Sequence, residues 1–319
     1  MTVLNDLLNL LVQPYFWQST LLFGAGLLLL PALGGVISER GGVTNVAMEG
    51  MMLTGAFVAI VFGLAWHNPW LATLMAVLAG GLMAAIHAVA SIRFHADQII
   101  SGFAINIFAS GLTIFLADGI YGTVGPGHIT SGNILPYINV PLLSNIQFLG
   151  LGQIFFQQNI TVYFALFMLV VVQVVLFRTR LGLRIRAVGE HPQAADTAGI
   201  NVYALRYGAV IASGCLSAVA GSFLSLTLVG TFNHDMTAGA GYIALAAMIF
   251  GKWTPIGAFV ACMIFGAGEA IFGANSTIHV PSLLLAMVPY VLTLIVLAGL
   301  VGRSTAPAAD GIPYTPGSE

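Results

Sequence analysis

The sequence predicts an all-α, polytopic integral membrane protein with 8–10 transmembrane helices and a pseudo-repeat of two halves, on three observations. First, 58% of the 319 residues are hydrophobic and only 6% are charged. That is more apolar surface than such a chain can bury against itself, so its solvent must be lipid. Second, mainly apolar runs near the length needed to cross a bilayer recur nine times. Third, five of the nine Lys and Arg residues (Arg178, Arg180, Arg184, Arg186 and Arg206) share one polar segment, the pattern of a cytoplasmic face.

In chain order, Leu4, Leu7, Leu8 and Leu11 recur at helical spacing between polar residues, which predicts a short helix lying in the interface. The candidate spans follow at 15–37, 43–65, 70–91, 98–117, 160–177, 207–229, 238–251, 254–273 and 281–301. No Lys or Arg precedes Arg40 and no small-residue cleavage site follows a short apolar core, so the first span is expected to target the chain without a removed signal peptide. Alternating the nine spans puts Arg40, Arg93, the 178–206 segment, Lys252 and Arg303 on one side, with the N-terminus out and the C-terminus in. The chain then reads as one transmembrane unit over 1–319: a first half 15–117, an external loop 118–159, a cytoplasmic loop 178–206, a second half 207–301 and a cytoplasmic tail 302–319. The loop at 118–159 lacks Lys and Arg, and Pro126, Pro136 and Pro141 break regular structure there.

Two spans carry small residues every fourth position: Ala72, Ala76, Gly80, Ala84 and Ala88, and Ala209, Ser213, Ser217, Gly221 and Ser225. Such ridges let helix backbones approach closely in lipid, so these helices should be central. Ala47–Ala59 (AMEGMMLTGAFVA) echoes Ala247–Ala261 (AMIFGKWTPIGAFVA) with two residues inserted, as a diverged duplication would. Both echo segments read as glycine-interrupted, and transporters built from repeats place their pathway where interrupted helices meet.

Several chemistries are excluded. A pI near 6.4 and a net charge of -2 lack the basic footprint of a nucleic-acid binder. Lys252, the single lysine, is followed by Trp253, so no phosphate-binding GxxxxGK[ST] loop exists. No pair of His residues has the spacing of a zinc peptidase, and Gly266-Ala267-Gly268-Glu269 has no paired intramembrane Asp to make it an acid protease. No metal, cofactor or catalytic residue is expected, and Cys215 and Cys262 read as small packing residues. An intramembrane enzyme would need a constellation that is not found.

What remains is a set of ionisable and polar residues within spans, which are costly in lipid and so usually functional. Glu49 and Glu269 are the principal candidates for an internal role. On a helix, Asn45 and Glu49 would share one face with Gly42 a turn earlier. Asn106 stands alone between Ile105 and Ile107 and serves equally as a pathway residue or an interhelical hydrogen bond. Glu39 and Arg40 either join this polar stripe or cap a cytoplasmic turn. In the 178–206 segment, Pro192 suits a helix start and Gly199 a helix stop, predicting a short helix with an Ala194-Ala195 face flanked by Arg184, Arg186 and Glu190.

Four segments together resemble the permease subunits of ABC importers of the branched-chain amino acid, ribose and nucleoside group, nucleoside type. They are ERGGVTNVAMEGMMLTGAF (39–57), LRIRAVGEHPQAADTAGINV (183–202), GYIALAAMIFGKWTPIGA (241–258) and the tail APAADGIPY (306–314). In that family the AAxxxG loop engages the ATPase, here with Gln193 where Glu is frequent. The resemblance implies a non-enzymatic, multi-pass subunit of the cell membrane. Its partners would be a second homologous permease, a cytoplasmic ABC ATPase and an extracytoplasmic substrate-binding lipoprotein. It assigns Gly189, Glu190, Ala194, Ala195 and Gly199 to the ATPase-coupling loop, and Gly42, Asn45, Glu49 and Gly50 to an interrupted first-half element. A translocation pathway through Gly42, Asn45, Glu49, Asn106 and Glu269 is the working hypothesis. A simple-sugar permease is the near alternative. A proton- or sodium-coupled carrier also fits repeats and buried carboxylates, although it would not require the 178–206 loop.

Overall fold

The computed structural model describes residues 9–122, 129–130, 134–139, 151–274 and 305–316, with isolated positions between 281 and 294. The proposed interfacial helix around Leu4–Leu8 and most of the ninth span, 281–301, lie outside the described residues.

Seven described helices are long and apolar enough to cross a membrane: α1 (Pro14–Arg40), α2 (Met48–Trp66), α3 (Pro69–Arg93), α4 (Gln98–Tyr121), α6 (Ile160–Arg178), α9 (Val202–Val229) and α11 (Pro255–Gly273). Their ends follow local chemistry. Asn68 caps α3 by accepting from the Trp70 and Leu71 amides, Asp97 caps α4 through Ile99 and Ile100, and Asn201 caps α9 through Ala204. Each side chain satisfies amides that lipid could not. Short helices fill the connections: α5 (Leu151–Phe156), α7 (Arg180–Glu190) and α8 (Pro192–Thr197).

The segment 238–251 differs from a full span. Its helix, α10 (Ala240–Phe250), has 11 residues, about 16 Å of rise against a hydrocarbon core of about 30 Å. It is a half-helix, entered through non-helical backbone and left through a turn at 251–254 in which Lys252 and Trp253 take positive φ. The glycine echo does not mark equivalent breaks. α2 runs unbroken through Gly50 and Gly55, whose missing Cβ atoms make room for the Asn106 and Ala218 backbones. The first-half interruption lies instead at 41–47.

Two short antiparallel pairs order part of the 118–159 segment, the first tying it to the chain after α9 and the second lying within the segment. β1 (Ile129–Thr130) pairs with β4 (Thr231–Phe232), and β2 (Tyr137–Asn139) with β3 (Gln157–Asn159).

At the centre, α9 packs on α1, α2 and α3. The two small-residue ridges make close approaches there but not to each other: a side chain at Gly80 of the α3 ridge would strike Gly214 and Ala218, each one position beyond the α9 ridge, and one at Gly221 of the α9 ridge would strike the Met52 carbonyl on α2. Ser213, Ser217 and Ser225 are fully buried, and the Ser217 hydroxyl donates to the Ser213 carbonyl at 2.9 Å, so the ridge brings no unsatisfied hydroxyl into the core. Cys262 is buried and Cys215 half-buried, both as free thiols.

This packing predicts that Gly221→Ala lowers stability by about 1–3 kcal/mol through overpacking. Gly111→Ala, where nothing lies within 4 Å of an added methyl, should leave stability unchanged. Thermal unfolding in detergent, followed by size-exclusion chromatography, separates the two outcomes.

Candidate functional site

The helix break between α1 and α2 builds the first half of the site. Gly42 at φ +80° turns the chain out of α1, and a Cβ there would approach Arg206 Nη2 at 2.8 Å. The segment that follows is buried, with Val43, Asn45 and Ala47 fully enclosed. Its polar groups are therefore satisfied within the protein. The Ser38 hydroxyl donates to Val43 O at 2.7 Å, Thr44 N donates to Gln98 Oε1 at 2.6 Å, and Asn45 Oδ1 accepts from Ala47 N at 3.2 Å. Asn45 Nδ2 donates to Ser213 Oγ at 2.8 Å, which ties the break to the central helix.

Because residue 45 precedes the helix, Asn45 and Glu49 do not share a face. Asn45 turns toward α9, while Glu49, in the first turn of α2, reaches the half-helix. Its Oε1 accepts from Gly239 N at 2.8 Å and its Oε2 from Gly241 N at 2.7 Å. Gly241 is required by this approach, since a Cβ would lie 2.6 Å from the Glu49 backbone. A carboxylate at a helix N-terminus meets both the free amides and the positive end of the dipole. Asn106 completes the junction. It accepts from Gly50 N at 2.8 Å and donates to Val46 O at 3.0 Å and to Tyr242 Oη at 2.8 Å. Beside it, the Phe103 and Tyr242 rings stand 6.1 Å apart, and Ser110 Oγ donates to Asp235 Oδ1 at 2.6 Å. Gly42, Asn45, Glu49, Gly50 and Asn106 are thus brought together around one break. Glu269 is not: it is half-buried on α11, next to Ala270, which packs with Phe16 at the start of α1. Its isolation follows from α11 lying against α1 rather than against α2.

The end of the bundle that bears the arginines holds a second polar cluster. Glu39, 2% exposed, accepts from Trp253 Nε1, and Arg40 Nε donates to Trp253 O at 2.9 Å. The α1 terminus is therefore locked to the 251–254 turn. Arg206 is no surface arginine of the kind its sequence position suggested. It is 1% exposed, held over Gly42, and its Nη1 donates to Ile312 O at 3.0 Å. The tail closes this cluster: Ala309 N donates to Gly189 O at 2.9 Å, Ala308 N to Glu190 Oε2 at 3.2 Å and Thr44 Oγ1 to Asp310 Oδ1 at 3.1 Å.

The short helix expected after Pro192 is present as α8, ended by Gly199 at φ +78°. Its two faces are distinct. Ala195 is buried with Val188, Val202 and Tyr314, whereas Gln193, Ala194, Thr197 and Ala198 are exposed. Gly189 lacks a side chain because a Cβ would collide with the Arg40 carbonyl. Of the five residues assigned to coupling, Glu190, Ala194 and Gly199 face outward, while Gly189 and Ala195 seat the loop on its own bundle. Sequence reasoning did not single out Tyr242, Asp235 or Asp310. The tail motif contained Asp310, but only contacts distant in the chain reveal its role.

A bundle of seven apolar helices long enough to cross a membrane, with a broken element and a capped half-helix, has the architecture of a multi-pass membrane protein. The chain belongs to the family described as the branched-chain amino acid transport system / permease component, which it matches over residues 18–297. It is 42% identical to the nucleoside ABC transporter permease NupC of Lactococcus lactis, covering 98% of this chain and 99% of that one. It is also 42% identical to the guanosine ABC transporter permease NupQ of Bacillus subtilis, covering 94% and 96%. TsgC13 of Haloferax volcanii, named as a candidate glucose ABC transporter permease, is 37% identical over 77% of this chain and 74% of that one. The chain is a multi-pass membrane protein and a transport component.

Two outcomes test the site. Glu49→Ala should free the α10 N-terminus at a cost of about 1–3 kcal/mol, with Glu49→Gln intermediate, read as faster hydrogen exchange at Gly239 and Gly241. The Asp310 carboxyl, outside the spans, is pushed up from 3.8 to about 6 by burial, against the lowering effect of Thr44, Glu39 and Arg206. The docked tail therefore binds this proton more tightly than a released one, so docking strengthens as pH falls from about 6 toward 3.8 and is weakest above 6. Limited proteolysis of the tail should slow across that window in the native chain and show no such pH dependence in Asp310→Asn.

Proposed function

We propose that this chain is the membrane-spanning permease subunit of an ATP-driven importer of nucleosides. It would be paired with a second homologous permease, energised by a separate ATPase and fed by an extracytoplasmic binding lipoprotein. The observation that carries the reading is 42% identity to nucleoside and guanosine permeases over nearly the whole chain. The geometry supports it through α8, a short helix whose outer face of Gln193, Ala194, Thr197 and Ala198 is exposed while Ala195 anchors it inside. Such a helix offers small side chains to a groove on a soluble partner, with the arginine-bearing end directed to the cytoplasm.

Transport would proceed by rigid transmission. ATP-driven closure of the partner presses on α8 and α7, and the bundle shifts between two arrangements that the substrate contacts differently. The pathway would run past the break at 41–50 and along the 233–242 segment, since transporters with broken helices place their pathway where the interrupted elements meet. Glu49 and Asn106 maintain that break. Asp235, Ser110, Phe103 and Tyr242 supply hydrogen-bonding and ring-stacking groups suited to a ribose and a base. Affinity in transit should be modest, with selectivity residing in the binding protein.

A sugar permease is the second reading, favoured by the 37% identity to the glucose-type relative. Both are tested by purifying the tagged chain from its native membrane, identifying its companions and reconstituting the complex. The expected result is a co-purifying ATPase, lost on Ala194→Arg, and ATP-dependent guanosine uptake that excess ribose or glucose does not inhibit. Inhibition by the free sugar would transfer the assignment to sugars, and a chain with no ATPase under conditions that preserve known complexes would overturn the importer reading.

A further inference from the structure

The outward-facing α8 and the pathway break at 41–47 belong to different parts of the chain, and a third segment bridges them. The tail at 305–316 touches both sides. On the α7–α8 side, Ala309 N donates to Gly189 O, Ala308 N to Glu190, and Tyr314 is 4% exposed in a cluster with Val188, Ala195 and Val202. On the pathway side, Asp310 accepts from Thr44 within the break, and Ala309 O lies against Gly42. Between them, Arg206 donates to Ile312 O, and the Tyr203 and Tyr314 rings stand 5.6 Å apart. Gly311 at φ +77° turns the strand of chain so that both sets of contacts form at once.

Resting on the importer reading, we propose that residues 305–316 are a strap that carries movement of α8 to the helix break at 41–47, with Asp310 as its positioning residue. A plain surface tail would not need a half-buried carboxyl bonded to the helix break. Asp310 lies among Glu39 from α1, Arg206 from α9 and Thr44 from the break, with Tyr203 and Tyr314 beside Arg206 and Glu190 on the neighbouring Ala308 amide. The Thr44 hydroxyl donates to it and the nearby Arg206 charge favours it, so displacement of the strap pulls directly on the segment that forms the break. The same α1 terminus is locked to the 251–254 turn through Glu39 and Arg40, which extends the connection to α10 and α11. The strap thereby joins the ATPase-facing loop to both broken helices.

The test uses the full-length chain in its complete complex, reconstituted into proteoliposomes, with nucleoside uptake and ATP hydrolysis measured separately. Asp310→Ala removes the acceptor for Thr44, Tyr314→Ala removes the strap's apolar anchor, and Asp310→Asn keeps an acceptor. The expected result is that both alanine variants retain the ATPase subunit and hydrolyse ATP within about twofold of the native rate, yet lose about tenfold or more in uptake per ATP, within the usual range of coupling between sites. Asp310→Asn should restore that ratio. Uptake per ATP unchanged in both alanine variants would overturn the proposal. So would loss of the ATPase subunit, because the strap would then only shape the docking face. Absence of an ATPase from the native chain would instead strike at the importer reading itself.

Discussion

Every interruption of a helix inside a membrane releases backbone amides and carbonyls that lipid cannot satisfy, and this constraint organises the rest of the protein. The half-helix α10 begins with amides at Gly239 and Gly241 that its own helix cannot pair. The Glu49 carboxylate, delivered by the first turn of α2, meets both. That arrangement in turn demands that α2 start where it does, after a break satisfied by Ser38, Asn45 and Gln98. Asn106 then pins α4 to the same point. Two broken elements thus complete each other.

The scaffold that holds this junction is made of contacts too close for side chains. Gly80, Gly214 and Gly221 let α3, α9 and α2 approach until backbone touches backbone. In lipid, where apolar burial drives little association between helices, such close approach supplies the dispersion that keeps the bundle assembled. The polar cluster at the arginine-bearing end adds specificity. Glu39, Arg40, Trp253, Arg206 and the tail connect four distant stretches of chain, and the half-buried carboxyl of Asp310 makes that connection sensitive to protonation.

Much of the architecture was legible because lipid imposes simple rules. A long apolar run must be a helix, and arginines gather on one side of the membrane. Small residues every fourth position must face another helix, and Pro192 with Gly199 must bound a short one. These inferences depend on composition and local spacing, which the chain displays openly. The resemblance carried by four ordered motifs then extended them to a family, and the family match over residues 18–297 bears that out.

The sequence by itself determined the membrane class, the central ridges, the short helix at Pro192–Thr197 and the residues gathered at the first break. Tertiary structure alone decided what those residues do. Spacing placed Asn45 beside Glu49, but the turn at Gly42 sends them to different helices. The echo suggested matched interruptions, yet Gly50 and Gly55 serve close packing within a continuous α2. Arg206 looked like one more surface arginine and is among the most deeply buried residues, while Glu269 stands away from the junction that Glu49 joins. The physical reason is common to all four: local pattern fixes which residues are helical and which are costly in lipid, whereas the partner that offsets the cost lies dozens to hundreds of residues away and is chosen by how the helices pack.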